Sequence, residues 1–223
     1  LNYYMLDGLV DMNLLVNDPV FGLTEEEQAD FFPGFFAQDV FPAWGGFRTG
    51  IPPQRSMEVM YYNSDWMAEL YEAGAVSFEG PPVTPEQFRE AACAAVENPF
   101  SAATGDTSLS VGYEISIDAS RFTSWTFHFG ADVFDYETNE FTYARNEASH
   151  DSMVFLQDLY ADGCMRDVVE RYGDQTDFGQ GITLFTVGST SGLPYYRSAV
   201  EDGAQFNWSV TALPHTGENP MPN

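Results

Sequence analysis

A short segment of small residues is the part of the sequence best suited to holding a solute. It runs from Gly188 to Gly192 and joins an apolar, strand-like run to a predicted helix. Its backbone N–H groups and the hydroxyls of Ser189 and Ser191 can converge on one point, which suits an anion or a polyol. The Gly-Lys-Ser/Thr ending of a nucleotide-binding loop is missing, so nucleotide binding is not supported. An ordinary capped turn is the alternative interpretation.

Arg55 and Ser56 lie where a proline-containing loop enters a predicted strand. The chain has only eight basic residues, so the position of each one carries weight. The planar guanidinium of Arg55 can bind a carboxylate or a phosphate of a ligand through two parallel hydrogen bonds. It can equally pair with one of the many acidic side chains, and the sequence leaves both readings open.

Several aromatic side chains offer flat faces that pack on sugar rings, although any one of them is more often part of a core. Trp44 and Tyr196 are two of them. Asp118 and Ser120 precede a predicted helix and can hydrogen-bond to ligand hydroxyls. The sequence thus predicts a ligand site drawn from Arg55, Ser56, Asp118, Phe122, Trp125, Ser189, Ser191 and Tyr195.

No metal, cofactor or catalytic residue is predicted. The three histidines show no zinc-ligand spacing with the two cysteines. A nucleophile elbow, Gly-x-Ser-x-Gly, does not occur. Paired carboxylates for glycoside hydrolysis remain an alternative, but no pair stands out among so many acids. One acidic run lacks the EF-hand spacing for calcium and resembles a solvated hairpin tip; it contains Asp132, Asp135, Glu137, Asn139 and Glu140.

The elements that must position these residues alternate between helix and strand, which predicts an α/β protein with a mixed sheet. Capping boxes begin helices after Thr24 and Thr84, the second with proline in its first turn. A proline and a glycine after the first of these helices predict two short helices there. A long helix is predicted from Asn146 to Ala161. The strands are predicted at 56–63, 182–187 and 206–213.

Composition narrows the classes of partner. The 223 residues carry 34 acidic and 8 basic side chains, a net charge of −26, and every basic residue is arginine. Such a field repels nucleic acid and anionic lipid, and it is typical of a solvated acidic surface, as in salt-adapted organisms. Cys93 and Cys164 can form one disulfide in an oxidising compartment. However, Cys93 lies in an alanine-rich helical stretch, which favours an unpaired, packed thiol.

Five motifs, in order, resemble family 1 extracellular solute-binding proteins of bacterial ABC transporters. Gly-Ile-Pro-Pro-Gln-Arg-Ser leads into Met-Glu-Val-Met-Tyr-Tyr-Asn at residues 50–63, which is similar to the lobe-crossing strand of the glycerol-3-phosphate branch. The other four motifs follow in the family's order. They occupy residues 65–96, 129–165, 181–191 and 206–214.

The resemblance implies a type II periplasmic-binding-protein-like α/β fold with two lobes and mixed sheets. Residues 1–55 would belong to lobe one, 56–208 to lobe two, and 209–223 to a crossing strand that returns to lobe one. Both ends of the chain are expected to be cut from something longer, so lobe one would be incomplete. The implied protein is a monomer outside the cytoplasm, in the periplasm or lipid-anchored at the cell surface, which delivers its solute to a membrane permease.

The resemblance also bears on the ligand. Ser56, Ser189 and Ser191 match serines of the family, but the tryptophans of the glycerol-phosphate branch are missing from the loop at 117–120. A neutral oligosaccharide is therefore at least as good a candidate as a glycerophosphodiester. The function implied is capture of a carbohydrate or glycerol-phosphate-type solute without catalysis. A secreted glycoside hydrolase is the alternative.

Overall fold

The computed structural model describes residues 2–135, 138 and 140–217. The chain divides into two compact units, Leu1–Arg55 and Ser56–Asn223. Residues 209–217 therefore fall in the second unit, and the assignment of the units to lobes stays a prediction. No helix of the described residues is long and apolar enough to cross a membrane.

The first unit consists of short elements. The capping box predicted at Thr24 is confirmed, because its hydroxyl accepts from the Glu27 amide while the Glu27 carboxylate accepts from the Thr24 amide. Two short helices follow one another there, as predicted. The bounds are α1 Asn2–Met5, α2 Asn13–Val16, α3 Glu25–Ala29, α4 Pro33–Ala37, β1 Val40–Phe41 and β2 Phe47–Arg48, with β1 and β2 antiparallel.

The second unit contains a five-stranded mixed sheet with helices on it. Its order is β7-β4-β8-β3-β9, in which β7, β4 and β8 are parallel and β3 is antiparallel to both of its neighbours. The predicted mixed sheet is thus confirmed. The bounds are β3 Glu58–Asn63, α5 Ser64–Glu72, α6 Pro85–Glu97, β4 Val111–Ile115, α7 Ala119–His128, β5 Phe134–Asp135, β6 Glu140–Phe141, α8 Glu147–Ala161, β7 Met165–Asp167, α9 Gly173–Gly179, β8 Thr183–Ser189, α10 Leu193–Asp202 and β9 Trp208–Thr211.

Local signals in the sequence explain where most helices begin. Thr84 forms the predicted capping box with Gln87 at the start of α6, and Pro85 occupies its first turn. The Asn146 side chain accepts from the Ala148 amide and begins α8. Asn63 caps α5 in the same way through the Trp66 amide. These side chains satisfy amides that have no partner within their own helix.

Helix α6 packs unusually close to β4. A Cβ atom built on Gly112 would lie 2.1 Å from the backbone oxygen of Ala92, so only glycine fits at this point of the strand. The core around this contact is aromatic: the Phe88 ring meets Tyr113, Trp125 and Phe185 with centroids 4.9–5.4 Å apart. Burial of each such side chain stabilises the unit by roughly 1.5–3 kcal/mol.

The two cysteines form a disulfide, which corrects the expectation of an unpaired thiol at Cys93. The Cα atoms of Cys93 and Cys164 lie 4.7 Å apart. Cys164 immediately precedes β7, and its carbonyl accepts from the Tyr113 amide of β4 at 3.1 Å. Because α6 lies directly on β4, its partly buried cysteine comes within reach of the neighbouring strand. The alanine-rich helix pattern predicts packing but carries no information on that cross-chain distance.

His128 gives stability a pH dependence. It is buried at the end of α7, its Nδ1 lies 2.8 Å from the Ser124 carbonyl, and burial lowers its pKa below the ordinary 6.5. Nearby His215 lowers the pKa further. The folded protein thus takes up this proton at a lower pH than the unfolded chain, whose imidazole titrates near the ordinary 6.5.

Stability is therefore expected to fall as the pH drops below 6.5, by up to about 1.4 kcal/mol per pH unit from this group alone. Urea unfolding at pH 7.5 and 5.5 measures the change. The free energy of unfolding should change less between these two pH values in His128→Gln than in the parent chain. Equal differences in the two proteins would show that His128 ionises alike in both states.

Candidate functional site

The carboxyl ends of β4, β7 and β8 lie at one edge of the sheet, and the segments that follow them enclose a cavity of about 680 Å³. These segments are residues 116–118 after β4, 168–172 after β7 and 188–192 at the end of β8. Ligands of open α/β sheets bind at this edge, where the chain leaves each strand. The cavity belongs entirely to the second unit.

Four residues of the predicted site line this cavity. Asp118 comes from the β4–α7 connection, Ser189 and Ser191 from the end of β8, and Tyr195 from the first turn of α10. Their sequence separation is large, but the parallel strands bring them to one edge. The structure thus places together the small-residue segment and the aspartate that precedes α7.

The segment from Gly188 to Gly192 has features of both interpretations of its sequence, a capped turn and a ligand site. The Ser189 hydroxyl accepts from the Ser191 amide at 3.2 Å, as an ordinary capping turn would, and the two hydroxyl oxygens lie 2.9 Å apart. One of the amides expected to face a ligand is thereby satisfied internally. Both serines still line the cavity, so the segment offers hydroxyls rather than a cradle of free amides.

Arg121 lines the cavity and contacts two carboxylates. It was not among the residues predicted for the site. Its Nε donates to the Val187 carbonyl at 3.0 Å, and its Nη1 lies 3.2 Å from Glu58 and 3.4 Å from Asp118. The Oε2 atom of Glu58, which faces Arg121, accepts no hydrogen bond from the described residues. Its contact with Arg121 is therefore purely ionic. Burial raises the pKa of Glu58, and Arg121 opposes the rise.

Asp118 lines the cavity and also caps helix α7. One of its oxygens accepts from the Arg121 amide at 2.9 Å and so caps α7. The other oxygen pairs with the guanidinium of the same arginine. Both oxygens already have a partner within the chain, so any ligand hydroxyl would share them.

A buried hydrogen-bonded network forms the floor of the cavity. Asp174 is only 5% exposed and accepts from the hydroxyls of Thr186 and Tyr196. The Tyr196 ring stacks on Tyr61 with centroids 3.9 Å apart, and the Tyr61 hydroxyl donates to the Ser189 carbonyl at 2.7 Å. Burial raises the pKa of both tyrosines far above the ordinary 10, so both stay protonated donors.

Two exposed tyrosines stand at the rim. Tyr172 is 58% exposed and Tyr195 is 66% exposed, and both line the cavity. Tyr172 has a φ of +65°, a conformation that is uncommon outside glycine and tends to occur at functional sites. The Arg171 guanidinium lies over its ring, 4.9 Å from the centroid. No motif singled out Tyr172, because its role depends on the backbone conformation.

Three predicted aromatic residues lie elsewhere. Trp125 is fully buried and donates its indole N–H to the Tyr113 hydroxyl at 3.1 Å, so it belongs to the core and not to a ligand platform. Phe122 packs against Tyr143 and faces a neighbouring groove. Trp44 belongs to the first unit, where it stacks on Tyr4 with centroids 4.2 Å apart. Arg121 and Phe122 lie in the first turn of α7, near the edge of the sheet, whereas Trp125 lies one turn further along the helix and is buried.

The two residues predicted at the strand entry do not line the cavity. Arg55 forms an ion pair with Asp39 within the first unit, which is the acid-pairing reading of its sequence. Ser56 is exposed at the start of the second unit. Their contribution to ligand binding stays a prediction.

The described residues on either side of the predicted acidic hairpin tip form two short strands. Strands β5 and β6 pair in antiparallel fashion, with Phe134 opposite Phe141. Glu137 and Asn139 lie outside the described residues. The described part of the chain contains no group of three or more histidine, cysteine, aspartate or glutamate side chains placed to hold a metal ion.

Comparison with known proteins agrees with the architecture. No protein-family model matches the sequence, and no curated protein matches it either. Solved structures do match: the GacH receptor of Streptomyces glaucescens, described unliganded and with acarbose, has a TM-score of 0.71 at 18% identity. Its alignment covers 99% of this chain and 50% of that one. The fold is that of the type II periplasmic binding proteins.

Two further structures support this assignment. UgpB from Mycobacterium tuberculosis, in complex with glycerophosphocholine, has a TM-score of 0.70 at 18% identity over 97% of this chain and 48% of its own. An ABC transporter solute-binding protein from Thermotoga lettingae, bound to α-D-tagatose, has a TM-score of 0.71 at 15% identity over 99% and 52%. The chain thus spans about half the length of the solved structures that it matches.

Proposed function

We propose that the chain captures a neutral, polyhydroxylated solute of the carbohydrate class in the cavity at the carboxyl ends of β4, β7 and β8, as part of a substrate-binding component of an ABC importer. The observation that carries the proposal is the composition of this one cavity. It combines serine hydroxyls, a rigid hydrogen-bonded floor and two exposed tyrosine rings. Sugars present hydroxyls at their edges and apolar C–H faces, which such a surface complements.

The charges of the cavity favour a neutral solute over a glycerol phosphate. Asp118, Glu170 and Asp174 contribute three acids to the lining, whereas Arg121 and Arg171 contribute two cations. Arg121 is already engaged by two carboxylates. A phosphate would therefore meet a field that is negative on balance, within a chain whose net charge is −26.

Two of the three carboxylates in the lining are engaged within the chain, which also supports capture without catalysis. Asp174 is fixed by two hydroxyl donors, and Asp118 is fixed by Arg121. A glycoside hydrolase needs one carboxyl group free to donate a proton and a second free to attack or to activate water. No observation favours that alternative. The bound form of the protein, and not a reaction product, would be what a membrane permease recognises.

The disulfide supports a location outside the cytoplasm. Structural disulfides persist in oxidising compartments such as the periplasm and the cell surface, and are rare where thiols are kept reduced. The Cys93–Cys164 bridge joins α6 to the residue immediately before β7, the strand whose carboxyl end borders the cavity. An extracytoplasmic solute-binding protein fits this chemistry.

Replacing Tyr195 with alanine is expected to weaken binding of the preferred sugar about fivefold, because stacking on an exposed ring contributes on the order of 1 kcal/mol. Isothermal titration with maltose, glucose, tagatose and glycerol-3-phosphate identifies the preferred solute and gives the affinity. Thermal unfolding at saturating solute supplies a second readout, since a ligand of the native state raises the apparent stability.

Tyr71→Ala is the matched control, because Tyr71 is also an exposed tyrosine on a helix but lies on α5, outside the cavity lining. It should leave affinity unchanged. Equal affinity in Tyr195→Ala and the parent chain would show that the Tyr195 ring does not contact the bound sugar. Preference for glycerol-3-phosphate over every neutral sugar would overturn the proposed solute class.

A further inference from the structure

A second groove lies beside the cavity, between α7 and α8. It has a volume of about 410 Å³ and opens at the carboxyl ends of β4 and β7. Its walls are mainly apolar, in contrast to the cavity. The side chains that give it this character are Ile117, Phe122, Met153, Leu156, Tyr160 and Met165.

The groove and the cavity meet along one short piece of chain. Ser116, Ile117, Asp118 and Arg121 line both of them. Ile117 is 79% exposed although it is apolar, and Tyr160 at the far side of the groove is 56% exposed. The polar cavity and the open apolar groove are therefore separated by this short piece of chain, on which the exposed side chain is Ile117.

We propose that the solute is an amphiphilic glycoside: its sugar lies in the cavity and a neutral apolar substituent crosses Ile117 into the groove. The inference rests on the proposed capture of a sugar-like solute and names a feature of that solute. Its support is the continuity of the two spaces, since a substituent on a sugar held by the cavity needs to pass only one residue to reach the groove.

The chemistry of the groove restricts the substituent to an uncharged alkyl or aryl group. The one cation of its lining, Arg121, is engaged by Glu58 and Asp118, and the carboxylate of Asp167 stands at the edge. An anionic tail would be repelled there. Met153 and Met165 adapt to irregular apolar shapes, so the groove fits a range of such groups and not a single one.

The floor and the rim of the groove have different tasks. Leu156 and Met165 are buried and pack in the core, so the floor exists whether or not a ligand is present. Tyr160 is exposed and lines only the groove, not the cavity. Its substitution can therefore weaken contact with the substituent while the sugar-binding surface stays intact.

Calorimetric titration of the chain with methyl β-maltoside and hexyl β-maltoside tests the inference. The two probes share one sugar and differ by five methylene groups. Each methylene removed from water raises affinity about fourfold when fully buried. The groove is open to solvent on one side, so we expect the hexyl compound to bind at least tenfold more tightly.

Variants locate the gain. Tyr160→Ser should lower the advantage of hexyl over methyl severalfold and leave the methyl affinity unchanged. Val154→Ser is the control, because Val154 is an exposed apolar residue of α8 outside the groove lining. It should preserve the full advantage.

The outcomes separate this inference from the proposed function. Equal affinity for the two maltosides would overturn the inference and leave sugar capture standing. An advantage of the hexyl compound that survives in Tyr160→Ser would also overturn it, because the tail would then bind elsewhere. If neither maltoside binds while the tested solutes of other classes do, the proposed sugar capture and the inference fail together.

Discussion

Replacing Arg121 with methionine is expected to lower the free energy of unfolding at pH 7 by about 3–5 kcal/mol. Methionine fills a similar volume, so little packing is lost. The cost comes from Glu58, whose carboxylate is largely buried and faces Arg121 at 3.2 Å. Without the guanidinium, this carboxylate is left charged in a site that already raises its pKa by burial. The Arg121 hydrogen bond to the Val187 carbonyl is lost as well.

The pH dependence identifies the cause. A carboxyl group whose folded pKa is raised contributes most to stability below its ordinary pKa of 4.5, and this contribution is lost as the pH rises through the folded value. Removal of Arg121 raises that pKa further, so the destabilisation should shrink as the pH is lowered from 7 towards 4.5. Urea unfolding at several pH values measures it.

Two further variants separate this ion pair from ordinary surface charges. Arg89→Met removes an arginine that is 41% exposed and pairs with Asp158 and Asp162, and it should cost about 0–1 kcal/mol. Glu58→Gln combined with Arg121→Met should recover much of the lost stability, because no buried charge is then uncompensated. If Arg121→Met lowers the free energy of unfolding no more than Arg89→Met does, the ion pair between Arg121 and Glu58 does not stabilise the cavity lining in this way.

Loss of the Cys93–Cys164 disulfide is expected to lower the free energy of unfolding by about 2–4 kcal/mol. The bridge closes a loop of 71 residues that includes β4, α7 and α8. In its absence the unfolded chain gains conformational freedom, and α6 is no longer fixed to the start of β7. The double variant Cys93→Ser with Cys164→Ser, compared with the parent by urea unfolding, measures the effect.

A reducing agent provides the matched control. Dithiothreitol should destabilise the parent chain by a similar amount and leave the double serine variant unchanged. Alkylation of unfolded protein counts its free thiols. Two reactive thiols in protein kept under oxidising conditions would show that the bridge does not form.

The sequence predicts the elements better than it predicts their mutual positions. The helix starts at Thr84 and Asn146 were predicted from the sequence, and the structure confirms both of them. The strand predicted at 182–187 appears at Thr183–Ser189, because its hydrogen bonds to β3 continue past the apolar run. β4 was not predicted, because a glycine and a buried glutamate interrupt its apolar pattern.

That glutamate shows why β4 resists prediction. Glu114 is buried in the sheet, which is unusual for a charged residue. It is compensated by Arg166 at 3.3 Å and by the Thr183 hydroxyl at 2.9 Å. Both partners lie more than fifty residues away, so no local pattern indicates that the charge is satisfied.

The site was predictable to the extent that its residues carry local signals. Asp118, Ser189 and Ser191 follow or precede regular elements at positions where turn and capping chemistry is visible, and all three line the cavity. Trp125 was misplaced because a single aromatic residue on a helix gives no indication of which face it occupies. Tyr172 and Asp174 depend on the position of α9, which no motif defines.

Titration of the chain with a panel of neutral sugars, followed by chromatography of the recovered solute, tests the central claim most directly. We expect saturable binding of at least one neutral sugar, weaker binding of glycerol-3-phosphate, and recovery of the sugar unchanged. Cleavage of a glycosidic bond would contradict capture without catalysis. Absence of saturable binding across the neutral sugars would contradict the assignment of the cavity as a carbohydrate site.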